Sequence, residues 1–275
     1  YTLSDTLSLH DALPIFLPRL RIAGVQYLNT APLICGLDAR ADVELFRAAP
    51  ADLLEALMSG RADAALVPAI DLQRTSEPLT VLPAGCIASA GETLTVRVFS
   101  RVPAGEVAVL AADRESHTSV ALAAVLWTQR FDRRLAIVPR EEFDRGSADA
   151  VLLIGDKVVT DPPICPHQMD LGSMWFEMTH LPFVFAVWAA RAGADHARLF
   201  GLLNAARLGC AERLNDLAAA QAALHGWPVD LARRYLTHHL QFDFTPACRR
   251  GMEEFHRLAQ RQGLIRDVRS LDYAS

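Results

Sequence analysis

The chain has 275 residues, 51% of them hydrophobic and 21% charged, with a formal net charge of -5. That is enough apolar material for a large buried core in one domain or two, and without a long basic run nucleic acid is excluded as a partner. A small anionic ligand would need local positive potential, from helix N-termini or a few arginines.

The first sixteen residues, YTLSDTLSLHDALPIF, resemble the translation of a DNA-sequencing adapter. They have neither the basic start nor the continuous apolar core of a secretory signal, so residues 1–16 are set aside as a non-native leader. The native start is expected just before LPRLRIAGV. From there the chain alternates. RIAGVQY reads as a strand. ADLLEALMSG reads as a helix, with Leu53, Leu54, Leu57 and Met58 on one face and Ser59-Gly60 ending it. ADAALVPAI, LTVLPAGCIAS and TLTVRVFSR follow as strands. EVAVLAAD is a strand, and HTSVALAAVLWTQRF is a helix carrying Val120, Ala124 and Trp127 at helical spacing. LAIVP and ADAVLLIGD read as strands, GSMWFEMTH as a short helix and LPFVFAVWAAR as an apolar strand. From about residue 195 the pattern is almost all helix.

Alternating β and α elements predict an α/β protein with mostly parallel sheets. Two βα sets can be counted, and FSRVPAGE (99–106) has linker composition. The expected division is residues 17–99 plus 187–275 for lobe 1, with the helical tail packed on it, and 100–186 for lobe 2. A small ligand is expected in the cleft between them. No apolar run reaches the ~18 residues of a membrane span. The five cysteines are odd in number and form no CxxC, which reads as a reduced, cytosolic chain. Cys165 and His167 have no second pair of matching spacing, so no metal is expected.

Four segments could carry chemistry. Tyr27, Asn29 and Thr30 follow the first strand, where ligands gather in such sheets; a local turn leading to Pro32 reads equally from these residues. Ser89, Ala90 and Gly91 are small residues between two strands, fit for close approach of a ligand or for a plain hairpin loop. Thr118 and Ser119 begin a helix, where they could cap it or receive a carboxylate. Gly155-Asp156 ends a buried strand; Asp156 could cap the next turn or bond a ligand hydroxyl. Trp175, Trp188 and Phe185 read as core. No Gly-rich phosphate loop or GxSxG motif is present.

Taken together, YLNTAPL, LVPAIDL, CIAS, HTSVAL, LLIGD and DLGSMWFEMTHLPFVFAVW resemble, in order and from about residue 20 to 273, chorismate dehydratase, the first enzyme of the futalosine route to menaquinone. The resemblance implies a two-lobed, periplasmic-binding-protein-like (type II) α/β fold. It implies an enzyme without metal or organic cofactor that converts chorismate to 3-[(1-carboxyvinyl)oxy]benzoate and water. It carries the catalytic Asn and Ser of the family onto Asn29 and Ser89. Tyr27, Thr30, Thr118, Ser119, Gly155 and Asp156 are the expected substrate contacts. His117 stands where an arginine is usual, and Ala69 where a serine is usual. A sibling enzyme forming 1,4-dihydroxy-6-naphthoate and a non-catalytic solute-binding protein share the implied fold; LPFVFAVWAAR resembles the dehydratase version. Asn29 is no useful base near pH 7 and Ser89 has no evident activating partner. The enolpyruvyl carboxylate of the substrate is therefore the expected base, with Asp156 in reserve.

Overall fold

The structure is a computed structural model that describes residues 18–274 apart from 76, 114 and 116; the adapter-like leader lies outside the described residues. The first half-sheet is laid down by β1 (Leu20–Val25), β2 (Val43–Ala48), α1 (Pro50–Met58), β3 (Ala64–Pro68) and β4 (Leu79–Ser89). A second set follows: β5 (Val96–Ser100), β6 (Val109–Ala112), α2 (His117–Phe131), β7 (Ala136–Pro139), α3 (Glu141–Asp144), β8 (Ala150–Ile154), α4 (Lys157–Thr160), β9 (His167–Asp170) and α5 (Leu171–Thr179). The chain then returns through β10 (Phe183–Arg191) to α6 (His196–Ala211), α7 (Leu214–His225), α8 (Val229–Arg234), a π-helical turn at Tyr235–His239, α9 (Pro246–Arg261) and β11 (Asp272–Tyr273).

Two sheets result, in the orders β11-β4-β10-β3-β1-β2 and β7-β6-β8-β5-β9. They are mixed, where mostly parallel sheets were expected. β1 pairs parallel with β2 and β3, but β10 runs antiparallel to β3 and β4, and β5 antiparallel to β8 and β9. The two antiparallel strands are those at which the chain enters one sheet from the other, and their direction follows from that passage.

The passage itself lies earlier than its composition suggested. The expected division puts Val96–Phe99 at the end of lobe 1, yet Val96–Ser100 is hydrogen-bonded into the second sheet. Val98 and Phe99 point to opposite faces of that strand, and each is buried in a different apolar cluster. A strand covered on both faces belongs inside a layered sheet, not in a linker. The crossing is the segment 90–95, and 99–106 merely turns from β5 into β6. The return strand β10 lies where an apolar strand was expected, but it pairs into the first sheet from Phe183 on, ahead of the expected lobe boundary at 187.

α6, α7 and α8 add Leu199, Leu203, Ala218, Ala222 and Ala232 to the core of the first sheet. α9 packs on β10 of the first sheet, as expected of the tail, and reaches on into the second core. Its Cys248 and Met252 lie in the first core, while Phe255, Leu258 and Ala259 lie in the second, against α2 and α5. The Phe255 ring meets Phe183 at 4.9 Å and Trp175 at 6.2 Å, both edge-on. Gly251 makes the approach possible: a Cβ there would overlap the Pro182 carbonyl oxygen. Among the described residues no helix is long and apolar enough to cross a membrane.

Candidate active site

β1 is buried along almost its whole length and ends at Val25. Tyr27 is extended, and Leu28–Leu33 then forms a 3-10 turn that contains Pro32. Leu28, Thr30 and Leu33 turn inward, leaving Asn29 on the open side. Asn29 lines a pocket between the two sheets. Val25, Leu66, Ile87, Val96, Ile154 and Phe185 supply its apolar walls. The polar groups facing it include Tyr27, Asn29, Thr93, Thr95, Glu115, His117, Thr118, Ser119 and Tyr235.

Of the expected contacts, Tyr27, Asn29, Thr118, Ser119 and Gly155 meet in this pocket. The Tyr27 phenol donates to Glu115 Oε2 at 3.2 Å, and burial together with the Glu115 charge pushes its pKa up. Its ring rests on Gly155, whose φ of 67° is left-handed; a Cβ there would stand 2.8 Å from the ring. Thr118 and Ser119 occupy the first turn of α2, the end of a helix whose N–H groups have no intrahelical partner. The Thr118 hydroxyl accepts from Ile70 N–H at 3.3 Å, so α2 is docked on the loop after β3.

Three expected residues stand elsewhere. Thr30 is fully buried, and its hydroxyl donates to Asn29 Oδ1 at 3.4 Å; it holds the amide from behind. Ser89 closes β4 at 1% exposure, its hydroxyl donating to Gly91 O at 3.3 Å. Asp156 turns away from the pocket wall. One carboxylate oxygen is 2.7 Å from His225 Nδ1 and the other accepts from Trp227 Nε1 at 3.0 Å. The donors come from the tail, which no local reading of Gly155-Asp156 could supply. Asp156 is therefore not placed as a base. Phe185, read as core, lines the pocket, whereas Trp175 and Trp188 are fully buried.

The structure adds residues that the sequence reading missed. Thr93 and Thr95 flank Leu94, which has a φ of 64°, a conformation costing a leucine ~1–2 kcal/mol. Asp170, the N-cap of α5, holds it there: its carboxylate accepts from Thr93 N–H and Leu94 N–H, both at 2.9 Å, and from Ser173 N–H at 3.0 Å. Both threonines lie in the crossing segment ahead of β5, outside any strand, so no strand periodicity marks them in the sequence. Tyr235 comes from the π-helical turn, and nothing near it in the sequence marks it. His117, noted as a departure, places Nδ1 2.8 Å from Oδ2 of the buried Asp71. Nδ1 is thereby engaged by Asp71. Among the described residues, no group of three or more His, Cys, Asp or Glu side chains could hold a metal ion.

The family profile described as menaquinone biosynthesis matches residues 20–261. The chain belongs to that family. A chorismate dehydratase of Thermus thermophilus is 32% identical over 243 residues, covering 78% of this chain and 88% of that protein. Among solved structures, protein AF1704 from Archaeoglobus fulgidus has a TM-score of 0.70 at 14% identity, over 90% of this chain and 98% of the other. The periplasmic aliphatic sulphonate binding protein SsuA from Escherichia coli has a TM-score of 0.63 at 15% identity, over 91% and 94%. At these identities the likeness establishes the fold, which is periplasmic-binding-protein-like as the motifs implied.

Proposed function

We propose that the protein is a chorismate dehydratase, a carbon–oxygen lyase acting in menaquinone biosynthesis. The observation that carries the reading is the 32% identity to the Thermus thermophilus chorismate dehydratase over 78% of the chain. The pocket supports it, with apolar walls and the amide of Asn29 and the hydroxyls of Thr118 and Ser119 along its lining. The free cysteines among the described residues fit a reducing compartment.

Chorismate carries two carboxylates on a cyclohexadiene. Loss of the C3 proton and the C4 hydroxyl releases one water; the C3–H electrons become the last ring double bond as the C4–O bond breaks. Aromatisation drives the reaction, so the protein has only to lower the barrier. The C3 hydrogen is acidified through the diene by the ring carboxylate. The first-turn N–H groups of α2, with Thr118 and Ser119, hold that carboxylate and stabilise the charge arriving on it. The enolpyruvyl carboxylate of the substrate takes the C3 proton. Asn29 orients the reacting groups, and Ser89 joins once its hydroxyl leaves the Gly91 carbonyl. Apolar walls keep competing water away.

The test is incubation of the purified protein with chorismate alone, followed by chromatography and mass spectrometry for the benzoate ether. Formation of that product at one equivalent per chorismate consumed is expected. Tight binding without turnover would instead assign a solute-binding role. Asn29→Ala is expected to lower kcat by roughly 10²-fold with an unchanged circular dichroism spectrum, the scale of losing one oriented polar group; an unchanged kcat removes Asn29 from the mechanism.

A further inference from the structure

The two lobes meet in two chemically different ways. Along α9 they share apolar interior: Met252 lies in the first core and Phe255 in the second. Ile70, from the loop after β3, is also part of the second core. At the turn between α7 and α8 the meeting is polar. Asp156 follows β8 of the second sheet, and its carboxylate reaches across to the tail. One oxygen is 2.7 Å from Nδ1 of His225, the last residue of α7. The other accepts from Nε1 of Trp227 at 3.0 Å, and Trp227 is packed into the first core. The Asp156 and His225 side chains are 19% and 18% exposed, so water can compete for their bond. The apolar contact beside it is made by Val159 of α4, which stays half-buried.

The geometry points to Asp156 as the clasp between the lobes: its bonds to His225 and Trp227 hold the pocket shut, and their exchange for water opens it to ligand. Each half of the clasp is attached to a pocket wall. On the second lobe the preceding residue, Gly155, lines the pocket and carries the Tyr27 ring. On the first, the Trp227 ring stacks on Tyr235, centroids 4.9 Å apart and planes 27° from parallel, and Tyr235 lines the pocket too. Parting the clasp therefore moves a wall on either side. The two kinds of contact differ in what parting costs. An apolar interior cannot separate without exposing its surface to water. Hydrogen bonds to a carboxylate are replaced by bonds to water, so the net cost is modest. The α9 contact thus serves as the pivot, and the clasp is the edge that yields. A carboxylate held by two donors on fixed rings also defines one closed position rather than a range of them.

The clasp carries its own reporter. Trp227 is 5% exposed, whereas Trp127, Trp175 and Trp188 are fully buried. Acrylamide quenching of tryptophan fluorescence therefore reads Trp227, and Trp227→Phe should remove the quenchable signal. Asp156→Asn keeps the side chain's shape and removes its charge. It is expected to shift the closed–open balance about tenfold toward open, the effect of losing one charge-assisted hydrogen bond, and to raise the quenching constant at least about threefold. Release of 3-[(1-carboxyvinyl)oxy]benzoate, the product of the proposed reaction, is followed by stopped-flow and should be about tenfold faster in the same variant, because the open state is the one that lets it go. Should Asp156→Asn fold poorly, His225→Gln leaves the Trp227 bond in place and must move both readings the same way by a smaller factor. Unchanged quenching overturns the clasp. Raised quenching with unchanged release confines the change to the tail turn and overturns it as well, as does a rise that persists in the Asp156→Asn/Trp227→Phe double variant. The clasp does not need the dehydratase reading: if the wild-type protein neither binds that product nor turns over chorismate, the dehydratase falls and quenching alone decides the clasp.

Discussion

Replacing Gly155 by alanine tests how the pocket wall is built. Two costs add. The backbone at 155 has φ 67°, and an L-residue other than glycine gives up ~1–2 kcal/mol to stay there. The new methyl would sit 2.8 Å from two atoms of the Tyr27 ring and 3.0 Å from a third, where apolar carbons prefer at least about 3.5 Å. The ring must withdraw by about 0.7 Å, an overpacking of ~1–3 kcal/mol. The expected loss is therefore about 2–5 kcal/mol of stability, read as a melting temperature lower by roughly 5–15 °C for a chain of this size. Urea unfolding followed by circular dichroism measures the first figure and calorimetry the second. The displaced ring also strains the Tyr27–Glu115 hydrogen bond at the pocket edge, so kcat/KM should fall as well. Gly155→Asn keeps the clash but tolerates the left-handed backbone better, and should fall between alanine and the wild type. An alanine variant as stable and as active as the wild type would refute the account of Tyr27 wedged on a left-handed glycine.

Burial lowers the His256 imidazole to about 4, against ~6.5 when unfolded, so between these values the unfolded chain binds the extra proton. Its contribution is complete above about pH 6.5 and is lost as the pH falls, to a total of about 3 kcal/mol below pH 4. Urea midpoints recorded from pH 7 to 4 should show that slope, and His256→Gln should flatten it. Asp170→Ala strips the acceptor from three backbone N–H groups and the strained Leu94; about 3–5 kcal/mol of stability should go, measurable by denaturant unfolding, with KM rising because Thr93 and Thr95 line the pocket. Gly251→Ala sets a methyl against the Pro182 carbonyl oxygen, where backbone cannot easily yield, and about 3 kcal/mol should be lost in the same assay.

Much of the fold is legible because the buried strands announce themselves. Ala64–Pro68 and Ala150–Ile154 are buried at every position, and such runs leave little alternative to an interior strand. Val43–Ala48 escapes a reading by pattern: it is an edge strand, half exposed, whose charged residues blur the period. The crossing at 90–95 escapes for a different reason. Turn composition at 99–106 is real, but composition does not say whether a turn joins strands of one sheet or two. In the site, Asn29, Thr118 and Ser119 are readable because strand ends and helix starts are local features. Asp156 is misread because its partners, His225 and Trp227, lie about seventy positions downstream. Tyr235 is invisible on the same grounds: it reaches the pocket from the tail and sits against Thr95 and Trp227 rather than its neighbours in the chain.

The helix that begins at Pro246 puts its early residues in one apolar interior and its later ones in the other. A clamshell joined only by two adjacent ribbons is free to gape and to twist. One that also has a stiff rod sunk into both shells has to bend the rod or pull it out of a close-packed socket before the mouth widens. Ligand exchange in this protein should therefore proceed through small breathing movements about a preformed cavity.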